Sequence, residues 1–339
     1  MQMQNVSMLE HRLVELRSYF DAQDLTELCI NRPGEIWTEG AGGWQRHDAP
    51  WANNSYCEQL VKLIASWNGK TCDDRSPYLS ATLPTKERVQ IVVPPACEKG
   101  TYSFTFRKPS QQDFSLDELE SYGTFSDFQE IKREITPTEI KLLELLSNKK
   151  LKEFLQLAVL SKKNIIVAGD TGSGKTTLTK SLTKCIPSVE RLITIEDVEE
   201  LTLANHPNKV HLFYTRKDED EGQNAQARKD TAKSALVSCL RMKPDRILLA
   251  ELRGDEAWEY IKAVGTGHPG SITTMHAGGA LATFGQLVNL VKSSSTGAHL
   301  DAEYLKWFLQ TNIDVVVFIH KRKIREIYYD PEHKLDLLA

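Results

Sequence analysis

Between Gly169 and Thr176 the sequence reads GDTGSGKT, which fits the pattern G-x-x-x-x-G-K-[ST] at every fixed position. The apolar run NIIVA precedes it, and GKTTLTKSLTKCI, amphipathic at helical spacing, follows. A strand entering a glycine-rich turn and leaving as a helix is a narrow requirement. The glycines let backbone amides turn inward around an anion, and the helix amino terminus adds partial positive charge. In this frame Lys175 reaches the β and γ phosphates of a nucleotide, and the Thr176 hydroxyl becomes a ligand of Mg²⁺.

The surrounding sequence supplies the sheet that such a loop needs. NIIVAGD, RLITIED, KVHLFY, RILLAEL and SITTMHA read as strands, and GKTTLTKSLTKCI, TAKSALVSCLRM and DEAWEYIKAVG as helices between them. That order predicts an α/β domain with a mostly parallel sheet covered on both faces, its site at the carboxyl ends of the strands. Upstream lies a smaller α+β pattern. A helix carries Met8, Leu9, Leu13, Leu16 and Phe20 on one face, LTELCINRPGEIWTEG reads as a hairpin, and WANNSYCEQLVKLIASWNG as a helix ending at Gly69. RVQIVVPPA and TYSFTFRKPS read as further strands.

With 339 residues two domains are the default. We place them at 1–112 and 137–339, joined by an acidic, irregular linker at 113–136, with Thr136, Pro137 and Glu139 opening the next helix. The charge run RKDEDEG at Arg216–Gly222 reads as a solvated loop.

The net charge of -4 argues against a dedicated duplex-DNA binder. The six cysteines lack the short paired spacing of zinc sites and read as reduced, mostly buried thiols. MQMQNVSMLEHRLVELRSYF has no basic region followed by an apolar core, and no stretch reaches the roughly 18 apolar residues of a membrane helix. These features predict a cytoplasmic protein.

RILLAELRGDE breaks the expected pattern, because Ala250 stands where a magnesium-binding aspartate usually ends the strand. Acids occur nearby: Glu251 one position later, and Glu196, Asp197 and Glu199 in ITIEDVEEL. Both strands can end beside the loop, which makes Glu251 a metal candidate and Glu196 a water-activating one. The bland alternative is that these carboxylates cap the helices that follow. His276, glycine-flanked after a strand, is a candidate γ-phosphate sensor, and His268 a weaker one; a zinc pair lacks a third ligand. Arg88 and Arg107 each border a strand, where surface ion pairing is the ordinary reading. An arginine brought to a phosphate would contribute on the order of 10³–10⁵ in rate.

Taken together, INRPGEIW, ERVQIVVPPA, FRKPS, GDTGSGKTT, ITIEDVEEL, SCLRMKPDRILLAELRGDEAW and GTGHPGSITTMHA, in this order, resemble the hexameric ATPases of bacterial type IV secretion systems. These sit within the superfamily of type II secretion and pilus motor ATPases. The resemblance implies a RecA-like P-loop domain behind an amino-terminal α+β domain, assembled as a six-membered homo-oligomeric ring. It implies ATP and Mg²⁺ as cofactors, with Gly169, Thr171, Gly172, Ser173, Gly174, Lys175, Thr176 and Thr177 on the nucleotide and Thr176 and Glu251 on the metal. Glu196, Glu251 and His276 map to acidic, Walker B and histidine boxes, and Arg88 and Arg107 to arginines that approach the phosphates. Expected partners are other ATPases and inner-membrane components of a secretion system, with peripheral membrane attachment and DNA or protein as cargo. A RecA-like nucleic-acid motor, a pilus assembly or retraction motor and a non-hydrolysing scaffold are the rival readings. The stretch TRKDEDEGQNAQARKDTAK matches none of the family motifs.

Overall fold

The structure is a computed structural model that describes residues 8–109, 113–215 and 231–338. Two sheets organise it. The first is antiparallel and has six strands: β1 (Glu27–Ile30), β2 (Gly34–Gly40), β3 (Gly43–Ala49), β4 (Tyr78–Thr82), β5 (Arg88–Val92) and β6 (Ser103–Arg107), in the order β3-β2-β1-β6-β5-β4. Helices α1 (Val14–Phe20) and α2 (Asn54–Trp67) close one apolar core over it. Asn53 caps α2, its side chain accepting from the Tyr56 amide, and apolar residues at helical spacing from Tyr56 to Ile64 fill the core. On the first helical segment Leu9, Leu13, Leu16 and Phe20 are buried, but Met8, assigned to the same face, is exposed.

The predicted hairpin is present, with Cys29 opposite Trp37. A second one, β2–β3, has no such signature in sequence, since GWQRHDA lacks an alternating apolar face and is largely exposed. Within the acidic stretch after the first sheet, α3 (Leu116–Ser121) forms on a Ser115–Glu118 capping box, a helix fixed by its start and not by any buried face. Helix α4 (Pro137–Ser147) begins on the expected Thr136 cap, with Glu139 closing a capping box.

The second sheet has seven strands in the order β13-β12-β7-β11-β10-β8-β9. They are β7 (Ile165–Gly169), β8 (Leu192–Glu196), β9 (Lys209–Phe213), β10 (Arg246–Leu252), β11 (Ile272–Met275), β12 (Val315–His320) and β13 (Lys323–Tyr328). All neighbours are parallel except β13, which pairs antiparallel with β12. Helices α4, α5 (Leu151–Leu160) and α6 (Lys175–Thr183) cover one face. Helices α7 (Ala232–Cys239), α8 (Glu256–Gly265), α9 (Ala282–Ser293) and α10 (Ala302–Asn312) cover the other, and α11 (Pro331–Leu338) ends the described chain. Two-sided cover explains why β7, β8 and β11 are buried along their whole length.

The sheets dock at the β9 edge. The Phe213 amide donates to the Ala96 carbonyl at 2.9 Å, and Cys97 bridges Leu212, so a piece of the first unit satisfies an edge that would otherwise be open. Arg191, at the start of β8, is fully buried. Its guanidinium donates to Asn31 Oδ1 at 2.7 Å, Asn208 Oδ1 at 2.5 Å and the Met242 carbonyl at 3.0 Å, and lies over the Trp44 ring. Among the described residues no carboxylate pairs with it. By contrast the equally buried Arg246 forks onto Glu190 at 2.6 and 3.1 Å.

Arg191→Ala would leave Asn31 Oδ1 without its donor in the docking surface, while Asn208 Oδ1 keeps the Asn31 amide at 3.0 Å. Urea denaturation is expected to show a loss of about 3 kcal/mol or more, with Asn31→Ala removing part of the same amount, since the two share one bond.

Candidate nucleotide-binding site

Strand β7 ends at Gly169, and α6 starts at Lys175 after a five-residue turn. Gly169 has no room for a side chain, because a Cβ there would lie 2.2 Å from the Ile319 carbonyl oxygen and 2.7 Å from Ser173 Oγ. Gly174, which precedes α6, has φ 106°, a conformation that costs glycine nothing. Ser173 Oγ is buried and finds no hydrogen-bond partner among the described residues. Thr171, Gly172 and Thr177 are exposed along the same loop and helix start.

Lys175 is buried. Its Nζ donates to the carbonyls of Gly169 at 2.9 Å and Asp170 at 3.1 Å and lies 3.4 Å from His276 Nδ1. Burial lowers its pKa, with Glu251 and Asp170 opposing. On its other nitrogen, His276 meets Glu251 Oε1 at 2.9 Å. Burial and the Lys175 ammonium hold the imidazole below its ordinary value, which favours the neutral ring beside that cation. Arg253 also pairs with Glu251 and reaches Asp197 at 3.8 Å. The sheet thus brings Lys175, His276 and Glu251 to one edge, and adds Arg253, which had no assigned role.

The missing aspartate has a structural answer. From Leu249 to Leu252 the chain advances three residues while its partner β11 advances two, from Thr273 to Met275. That bulge puts one extra residue into β10 at Ala250–Glu251 and re-aims the side chains beyond it. Thr274 Oγ1 secures the bulge by donating to the Ala250 carbonyl at 2.8 Å. Glu251 is thereby turned toward His276 although it stands one position late.

Glu196 sits differently. It is wholly buried at the end of β8; Thr194 Oγ1 donates to one oxygen at 2.6 Å, His211 Nδ1 lies 3.1 Å from the same oxygen, and the amides of Glu200 and Leu201 each donate to the other at 2.8 Å. Its partners lie on β8, β9 and the turn that follows, and none is in the loop. Burial pushes its pKa up, but the hydrogen bonds from His211, Thr194 and the two amides prevail and lower it. A carboxylate whose lone pairs are all engaged is built to hold the acidic turn in shape, and Glu199, in that turn, is exposed.

Arg88 and Arg107 do not meet the loop of their own chain. They face each other across β5 and β6 and line a cleft of about 570 Å³ with Lys70, Arg241, Lys243 and His268. Lys243 and His268 precede β10 and β11, so this cleft opens at the amino edge of the parallel sheet, opposite the loop. Docking on β9 thus faces Arg88 and Arg107 away from the loop of their own chain. Arg107 Nε instead lies 3.7 Å from Glu27, whose pKa burial raises to about 7. His268 faces this cleft and lies 3.3 Å from the Ala263 carbonyl.

No cluster of three or more His, Cys, Asp or Glu among the described residues is placed to hold a metal. The donor set at the loop, a threonine hydroxyl and one carboxylate, fits Mg²⁺, which keeps waters and uses phosphate oxygens in place of an all-protein cage. The charged stretch at 216–230 lies outside the described residues.

Residues 103–324 match the family described as type II/IV secretion system protein. The chain belongs to this family. Within the family it is 44% identical over 329 residues to the type IV secretion system protein VirB11 of Brucella suis, covering 95% of this chain and 90% of that protein. It is 38% identical over 314 residues to PtlH of Bordetella pertussis, covering 93% and 91%. A crystal structure of the VirB11 ATPase from the Brucella suis type IV secretion system, in complex with sulphate, superposes with a TM-score of 0.93 at 42% identity, over 99% of this chain and 98% of that one. The fold is that of the type II/IV secretion proteins, a RecA-like P-loop domain preceded by an α+β domain.

Because the folded-state pKa of Glu196 lies below its ordinary 4.5, its contribution to stability is present above that value and lost as pH falls through the folded pKa. Glu196→Gln is expected to cost about 1–3 kcal/mol in urea denaturation at pH 7, with the gap from wild type narrowing in acid.

Proposed function

We propose that the chain hydrolyses Mg²⁺-bound ATP at the Gly169–Thr176 loop and, as a ring of identical subunits, turns hydrolysis into motion that drives type IV secretion. Membership of the family makes it a secretion ATPase. The observation that carries the site assignment is the Lys175–His276–Glu251 chain of contacts at 3.4 and 2.9 Å. Lys175 exchanges its two carbonyl partners for the β and γ phosphate oxygens, since an ammonium held by neutral carbonyls gains from meeting an anion. His276 links that cation to Glu251, so loss of the γ phosphate is felt at the carboxylate. Bound Mg²⁺ supplies charge neutralisation at the phosphates, with Thr176 and Glu251 as the residues that would hold it. Glu251 is also the acid best placed to orient the attacking water; Glu196 supports this reading through the turn it fixes.

Arg88 and Arg107 enter through the ring. In a head-to-tail assembly each subunit's amino edge faces a neighbour's carboxyl edge, so the phosphates they meet belong to a neighbouring copy. Six subunits, the inner-membrane partners, peripheral attachment at its cytoplasmic face and the DNA or protein cargo follow from the resemblance. No helix among the described residues is long and apolar enough to cross a membrane, which is consistent with attachment through partners. The acidic net charge weighs against the rival nucleic-acid motor.

In a steady-state phosphate-release assay, Lys175→Ala and Glu251→Gln are each expected to turn over at least about 10²-fold more slowly than wild type. Equal turnover in all three overturns the assignment. Turnover should hold as pH drops to 6.5, the ordinary imidazole value, and decline only below it, because protonated His276 repels Lys175. His276→Asn should abolish that acid limb.

A further inference from the structure

The loop has two flanks, and the chemistry above uses only one. Strand β7 lies between β11, which delivers His276, and β12, which runs parallel to β7 and ends at the same edge. The β12–β13 connection is a two-residue turn, Lys321–Arg322, with both residues left-handed at φ 48° and 60°. Such a turn ordinarily takes Asn-Gly, so two long cations there occupy strained backbone.

This turn is fastened to the loop at several points. The Arg322 amide donates to the Ser173 carbonyl at 2.9 Å, and His320 Nδ1 lies 3.0 Å from Asp170 Oδ2. The Ile319 carbonyl fills the space beside Gly169. A Cβ on Gly174 would sit 3.7 Å from both Cα and Cγ of Arg322, so the root of the arginine side chain lies beside the residue that opens α6, where the loop's amides gather. The side chain is exposed, and among the described residues no carboxylate pairs with it. The turn therefore roots an exposed cation beside the amino end of the phosphate-binding helix, on the β12 side of β7 and not on the β11 side that carries His276.

We propose that Arg322 is a phosphate ligand of the bound nucleotide, acting from the β12 flank, with the His320–Asp170 contact positioning the turn that carries it. The proposal rests on the nucleotide reading of the loop and adds a binding residue to it. A guanidinium contact of this kind holds nucleoside diphosphate and triphosphate alike, so it acts mainly on affinity and little on the chemical step.

Glycine is the informative substitution. Arg322→Gly removes the cation and relieves the left-handed strain, so without nucleotide the variant should melt at or above the wild-type temperature. Titrated calorimetrically with Mg-ADP, it should nevertheless bind about tenfold or more weakly, and its KM for ATP should rise more than its kcat falls. Arg322→Lys, which restores charge without the planar fork, should recover part of the affinity. Mg-ADP affinity in Arg322→Gly equal to wild type overturns the proposal and leaves the turn a structural clamp. Failure of wild type itself to bind Mg-ADP would overturn the nucleotide reading, a different outcome from the first.

Discussion

A buried guanidinium with only neutral partners holds this molecule's two sheets in register. Arg191 is rooted at the start of β8 but spends its donors on both units, on Asn31 from one and on Asn208 and Met242 from the other. Removing a full charge from water costs several kcal/mol unless its donors are met, and here they are met only when the sheets are docked. The direction in which Arg88 and Arg107 face is therefore tied to one cation far from the loop.

The chemistry depends on a second constraint, the shared direction of β7, β10, β11 and β12. Parallel strands send every carboxyl end to the same edge, so residues separated by as many as 150 positions meet there without any one loop reaching far. Within that arrangement the bulge in β10 is a local correction. Side chains alternate with a period of two, so an acid displaced by one position would face the wrong layer; one inserted residue restores its aim.

The loop, its strand and its helix were legible because their signal is local and their mechanism strict. That Glu251 and His276 come to one edge was legible because strand ends in such a sheet converge. The way Glu196 is held was not, since its partner His211 comes from the neighbouring strand β9 and no spacing rule announces a carboxylate whose lone pairs are all occupied. The facing of Arg88 and Arg107 was equally hidden, being a property of how two sheets dock. The β12–β13 turn carries no such signal, because Lys321 and Arg322 occupy positions that asparagine and glycine ordinarily take.

The Ala96–Phe213 hydrogen bond has one more implication. A seven-stranded sheet ending in β9 presents a row of free amides and carbonyls to anything extended enough to pair with them. The chain around Ala96 and Cys97 occupies part of that row in advance, so the first unit chaperones the second for as long as both are joined. Parted from the first unit, the second would offer that edge to any extended chain that met it, copies of itself included.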